Sequence, residues 1–137
     1  MTEGCNVRVR FYRPPERLSR YFTTFYLTEI DVPGGGRVTD RLHPEWANLR
    51  FLSGAETQSM IGPGEPQPCP DFTVTGPTSR AMRFRMRSGR CWGIGLMPAG
   101  WAALFAAQAD DYADRFVDGA ADSVFAGFVP LACALAA

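Results

Sequence analysis

The chain has no lysine. All 14 of its basic residues are arginines, and 14 aspartates and glutamates balance them to a formal net charge of zero. A balanced chain has no global field to draw it onto nucleic acid or an anionic membrane. Alongside abundant Ala, Gly and Pro, the missing lysine reads as the signature of GC-rich coding, not of an arginine surface selected for its charge. Histidine is almost absent, with His43 the single imidazole. That removes the His-x-His and Glu set a metal-dependent enzyme on a small β-barrel needs. Any Ser–His or Cys–His nucleophile would have to use His43. Cys5, Cys69, Cys91 and Cys133 are scattered with no CxxC pair. Free thiols in a reducing compartment are therefore expected, with no metal and no cofactor. No P-loop, GxSxG or HExxH motif is present. The N-terminus carries no apolar run of the kind a signal peptide has. No apolar stretch approaches the roughly 20 residues of a membrane span. These absences point to a cytoplasmic protein that is not an enzyme and has no membrane partner.

What is present is a globular composition, 46% apolar and 20% charged over 137 residues, the size of one domain. Residues 6–12 alternate, with Val7, Val9 and Phe11 on one side and Arg8 and Arg10 on the other, which predicts a half-buried strand. Residues 20–30 are rich in aromatics and Thr, with apolar residues on both parities, as in a strand covered on both faces. "DVPGGGRV" reads as a flexible turn. Residues 46–54 place Ala47, Leu49 and Phe51 on one face, and "TQSMIG" reads as a return strand. Residues 63–71 form a Pro-rich loop and 72–77 a short strand.

The stretch 80–90, "RAMRFRMRSGR", holds five arginines in eleven positions. Met82, Phe84 and Met86 alternate with Arg83, Arg85 and Arg87, so the arginines form the wet face of a strand. With zero net charge, a solvated face is favoured over a nucleic-acid patch. "SGR" reads as a tight turn into a second strand, 91–97, which would complete a hairpin.

After Pro98 the pattern turns helical. Trp101, Leu104 and Phe105 make an i, i+3, i+4 stripe. A second helix is predicted from about Asp110, with Tyr112 and Phe116 buried and Gly119 at its end. A third begins at Asp122 or Ser123 and runs through Val124, Phe128, Leu131 and Leu135, with Pro130 bending or breaking it. Strands followed by helices give an α+β fold, an antiparallel β-barrel or sandwich with C-terminal helices. The expected division is 1–120 for the barrel with its first helices and 121–137 for a linker or dimerisation helix, in one structural domain. Trp101 and Phe84 are the expected core aromatics.

Small barrels hold a ligand in the mouth. Tyr26, Trp46 and Trp92 are large aromatics on or beside strands, and Arg41, His43 and Arg50 are polar groups in the same region. These six are the candidate ligand-binding residues, with Gly93 and Gly95 leaving room beside Trp92. For each, the plain alternative is an aromatic in the core or a solvated charge.

The order of residues resembles a known family. Pro15, Leu18 and Tyr21 open the pattern, and Arg41, Leu42 and Pro44 lead into an apolar strand. Gly76, Pro77 and Ser79 precede an alternating strand. Then comes "WGIGLMPAGWAALF" at 92–105 and "DRFVDG" at 114–119. This resembles the N-terminal effector-sensing, cupin-like domain of bacterial AraC-type transcription regulators, over about Phe11 to Ala136. The resemblance implies a sensor that binds a small-molecule effector, forms a homodimer, and couples both to DNA through a C-terminal domain with two helix-turn-helix units. No such pattern lies in this chain, so DNA contact would be made outside it. The alternative is a stand-alone cupin-like binding protein, or an enzyme using His43 and Glu45 as an acid–base pair.

Overall fold

The computed structural model describes residues 4–54 and 56–136. Among these residues ten strands build two sheets. Strands β1 (Asn6–Tyr12), β2 (Phe22–Asp31), β4 (Asn48–Ser53), β7 (Phe72–Thr75), β9 (Gly89–Leu96) and β10 (Phe116–Asp118) form the larger sheet, in the order β1-β2-β9-β4-β7-β10. Strands β3 (Val38–Leu42), β5 (Gln58–Ile61), β6 (Gln67–Pro68) and β8 (Met82–Met86) form the smaller, in the order β3-β8-β5-β6. Every pairing is antiparallel. The fold is α+β as expected. The two sheets do not join into a closed barrel among the described residues.

The principal core lies on the outer face of the large sheet. Ala47, Leu49 and Phe51 of β4 and its approach pack with Phe72 and Val74 of β7 against Trp101, Phe105, Tyr112 and Phe125. Helix α1 (Pro98–Leu104) supplies Trp101, with Pro98 in its first turn. The indole N–H of Trp101 donates to the carbonyl of Ala107 at 2.8 Å, so the buried ring leaves no polar atom unpaired. Asp122 caps the last helical stretch, its carboxylate accepting from the Val124 N–H at 3.0 Å and from the Tyr112 hydroxyl at 2.7 Å. That stretch is a 3-10 helix, Ser123–Phe128, followed by α2 (Val129–Ala136), with Pro130 at the start of α2. The change of winding falls just ahead of Pro130, close to where the sequence places a bend or break. The tighter 3-10 winding turns Phe125 inward, fully buried, while the expected Val124 and Phe128 pack partly buried against the same core. Helix α2 leans on this core through Ala132 and Leu135 and leaves Leu131 and Cys133 exposed.

Four expectations need correction. First, β8 and β9 do not form a hairpin. β8 pairs with β3 and β5, and β9 with β2 and β4, so the chain crosses from one sheet to the other between them. Ser88 fixes that crossing, its hydroxyl accepting from the Val32 N–H at 2.8 Å and donating to the Val32 carbonyl at 3.2 Å. Second, residues 110–119 are not a helix. A 3-10 turn, Ala109–Tyr112, gives way to β10, which extends the large sheet beside β7. Third, the flexible turn read over "DVPGGGRV" is shorter than expected, because β2 reaches Asp31 and an unforeseen strand β3 begins at Val38. Fourth, β1 is not half-buried. It is the outer strand of its sheet and all seven of its residues are exposed. On the arginine face of β8, Arg83 is exposed and Arg85 half-buried, and Arg87 just past the strand pairs with Glu56 at 2.6 Å.

No helix among the described residues is long and apolar enough to cross a membrane.

Candidate functional site: a cavity between the sheets

Alternation on a strand sends neighbouring side chains to opposite faces. On β4, Leu49 and Phe51 go to the helical core, so Asn48, Arg50 and Leu52 face the other sheet. Between the sheets lies a cavity of about 940 Å³, at the upper end of the size range of small-molecule sites. Its walls are mainly apolar. Val7 and Val9 come from β1, Ile30 from β2, Val38 and Leu42 from β3, and Met82, Phe84 and Met86 from β8. One end is closed by a second apolar cluster, in which Ile30, Val32, Leu52, Met86 and Cys91 are buried. Phe11, 71% exposed, and Trp46, 50% exposed, stand at the open side.

A polar centre sits inside these walls. The register aligns Tyr26 of β2, Gly93 of β9, Arg50 of β4 and Thr73 of β7 in one row across the sheet. Gly93 has no side chain, so the Tyr26 ring lies across it. A Cβ there would meet Tyr26 Cζ at 1.9 Å. Lying flat, Tyr26 reaches Arg50, whose Nε–H donates to the Tyr26 hydroxyl at 2.9 Å. Arg50 Nη2 donates to Glu45 Oε1 at 2.7 Å, a charge-assisted bond, and Nη1 lies 3.4 Å from Thr75 Oγ1. The Tyr26 hydroxyl in turn faces Asn48 Oδ1 at 3.4 Å, and Asn48 Nδ2 donates to the Trp46 carbonyl at 3.1 Å.

The electrostatics follow from burial and pairing. Burial works against the Arg50 charge, but Tyr26 and Glu45 beside it outweigh that, and its pKa is pushed further up. Arg50 is a fixed cation matched by Glu45. Burial pushes the Tyr26 hydroxyl up to about 12, against the opposing pull of Arg50. Tyr26 therefore keeps its proton as a neutral donor and acceptor. Burial likewise raises the thiols of Cys91, to about 11, and Cys69, so neither is a ready nucleophile. Cys69 is held by Ser59, its sulfur 3.1 Å from the Ser59 hydroxyl.

Of the six residues singled out from sequence, the structure brings Tyr26, Trp46 and Arg50 to the cavity. The other three lie elsewhere. Trp92 is on the opposite face of β9, packed against the helical core and 6.1 Å from the Tyr12 ring. Arg41 sits between two cavity-facing residues of β3, Asp40 and Leu42, and is exposed on the far side. His43 is exposed in the loop after β3 and is not part of the cavity wall. Gly93 makes room for the Tyr26 ring, not for Trp92. Glu45, considered only as a partner for His43, turns to Arg50 instead. Sequence reasoning missed Asn48, whose signal was its alternation with Arg50 opposite an apolar face. It also missed Asp40, because β3 was not recognised as a strand. Among the described residues no group of three His, Cys, Asp or Glu side chains is placed to hold a metal ion.

No protein-family model, curated protein or solved structure matches the chain.

Proposed function

We propose that this chain is a small-molecule-binding domain whose ligand lies between the two sheets. The observation that carries this reading is the cavity itself: about 940 Å³ of mainly apolar wall around a buried, hydrogen-bonded Tyr26–Arg50–Glu45 centre. Burying an ion pair is costly compared with filling the same volume with apolar side chains. A polar centre kept inside an open cavity has a use there: it orients a bound molecule.

In this reading the domain is the effector-sensing half of an AraC-type regulator, as the residues from Gly76 to Gly119 imply. The facing sheets take the place of the cupin-like barrel. Ligand binding is coupled to DNA through helix-turn-helix units outside this chain. The exposed Leu131 and Cys133 of α2 belong to the linker or homodimer contact. The function requires no turnover. The alternative enzyme loses its acid–base pair, since Glu45 is engaged by Arg50 and His43 is exposed and not among the cavity-lining residues.

The test is a thermal-shift screen of uncharged and charged small molecules, followed by calorimetry. A ligand that binds one per chain and loses affinity on Arg50→Met supports a binding domain. Saturable binding that Arg50→Met and Leu52→Trp both leave unchanged places the ligand elsewhere and sinks the proposal. A reading frame that continues past Ala137 into two helix-turn-helix patterns supports the regulator; a ligand-binding protein encoded without them supports the stand-alone form.

A further inference from the structure

The charges around the cavity restrict its ligand further. Among the described residues of its wall only Asp40, Glu45 and Arg50 carry formal charge, two carboxylates against one guanidinium. Arg50 is matched by Glu45 at 2.7 Å, with the Arg50 side chain only 12% exposed. Asp40 adds a second negative charge at the solvent side, where its Oδ1 accepts from the Arg41 N–H at 2.8 Å. A carboxylate ligand would thus find the buried cation already matched by Glu45, with no second cation in the described wall to receive it. An ammonium would find its only unmatched counter-charge, Asp40, in solvent, where such a pair is worth little.

An uncharged oxygen meets neither obstacle. A guanidinium has five N–H donors. In Arg50, one goes to Tyr26, one to Glu45 and one toward Thr75, which leaves one N–H on each terminal nitrogen. Beyond the polar row the walls include Ile30, Leu52, Met82, Phe84 and Met86, with the uncharged Thr57, Ser59 and Cys69 beside them and no charged side chain. The two methionines adapt their shape readily, so the apolar end does not demand one rigid outline.

We propose that the cavity takes an uncharged, mainly apolar molecule with a carbonyl- or hydroxyl-type oxygen, seated by the remaining Arg50 N–H groups, with its apolar body directed toward Leu52 and Met86. This rests on the ligand-binding reading above and adds the chemical class. Glu45 then acts as a specificity determinant: by matching Arg50 it turns a potential carboxylate site into a site for neutral groups.

The experiment compares decanamide, decanoate and decylammonium, which share a chain and differ in the head group. Each competes with the uncharged dye Nile red bound to the intact protein. Decanamide is expected to bind at least about tenfold tighter than either ion, the size of one well-made hydrogen bond. Equal or tighter binding of decanoate or decylammonium overturns the proposal. Glu45→Gln leaves Arg50 unmatched, so decanoate should gain about tenfold while decanamide shifts by less than about threefold. A folded Glu45→Gln protein whose affinity for decanoate does not rise also overturns it. If that variant fails to fold, the wild-type series decides alone. The two readings fail differently. If Nile red is not bound by the wild-type protein, the cavity reading itself falls; binding with the wrong head-group order defeats only the chemical class.

Discussion

A methyl group at Gly93 would sit 1.9 Å from Tyr26 Cζ, and the obstacle is a whole ring, not the tip of a flexible chain. Gly93→Ala should therefore lift Tyr26 off β9 and break its bond to Arg50. The expected cost is about 1–3 kcal/mol in stability, with ligand binding lost. Denaturant unfolding and ligand titration of the variant check both parts, and a variant that keeps full affinity would show that the row across the sheet does not hold the site. Tyr26 and Cys91 also make the fold sensitive to alkali. Their ordinary values are 10.0 and 9.0, and burial raises them to about 12 and about 11. A raised folded value means that the native state holds the proton more tightly than the unfolded chain. The stabilisation is complete below pH 9 for Cys91 and below pH 10 for Tyr26, and is lost as pH rises through about 11 and about 12. Each group accounts for up to about 3 kcal/mol of that loss. Urea midpoints measured across this range should fall less steeply above about pH 10 in Tyr26→Phe than in the wild type. An unchanged slope would remove Tyr26 as the cause.

Among the elements, the helical layer holds the most tightly packed aromatic group. Trp101 is 3% exposed and stacks edgewise against Phe105 and Phe125 at centroid distances of 5.0 and 5.7 Å. Trp101→Ala should cost about 3–5 kcal/mol in equilibrium unfolding. Phe84, expected from sequence to be an equal partner in the core, faces the cavity and is half-buried. Its truncation should cost only about 1–2 kcal/mol, because little apolar area is lost from contact. Equal costs for the two would mean that the sheets close on each other in solution. The difference between the two residues shows what alternation can and cannot tell. Period two in 82–87 and 91–97 identified both strands and set the arginines on the face away from the cavity, since a local pattern fixes which residues share a face. It could not show that the apolar faces of β8 and β9 serve different layers, because the partner of a strand lies far along the chain. Similarly, Tyr112 and Phe116 at i and i+4 fit a helix locally. Asp114 ends that possibility by adopting φ of 55°, with its carboxylate accepting from the Ser79 N–H and hydroxyl at 2.7 Å each. Aspartate tolerates this left-handed geometry better than most residues. The free edge of β7 then captures Phe116–Asp118.

On the scale of the molecule, the large sheet is shared by two layers of unlike character. Its outer face is packed with aromatics under the helices; its inner face looks across a cavity to a sheet that it meets most closely at the Ile30, Leu52, Met86 and Cys91 end. The order of strands and helices was enough to read α+β from sequence. The cavity was only half legible, because Tyr26 and Arg50 enter it by strand parity and Trp46 from the loop before β4, while Arg41 and Trp92 leave it by parity and His43 lies in the exposed loop after β3. This asymmetry sets where a ligand acts. Filling the cavity adds contacts to the small sheet, which has few others, and adds little to the helical layer, which is already dense. Amide hydrogen exchange should therefore be slowest in β4, β7 and β9, each paired on both sides. On saturation with a ligand from the screen, protection should rise most in β3, β5 and β8, since a ligand at about 100 times its Kd stabilises what it holds by about 2.7 kcal/mol. Protection that rises instead in α1 and the 3-10 helix at Ser123–Phe128, with the small sheet unchanged, would place the ligand on the outer face and remove the cavity as its site.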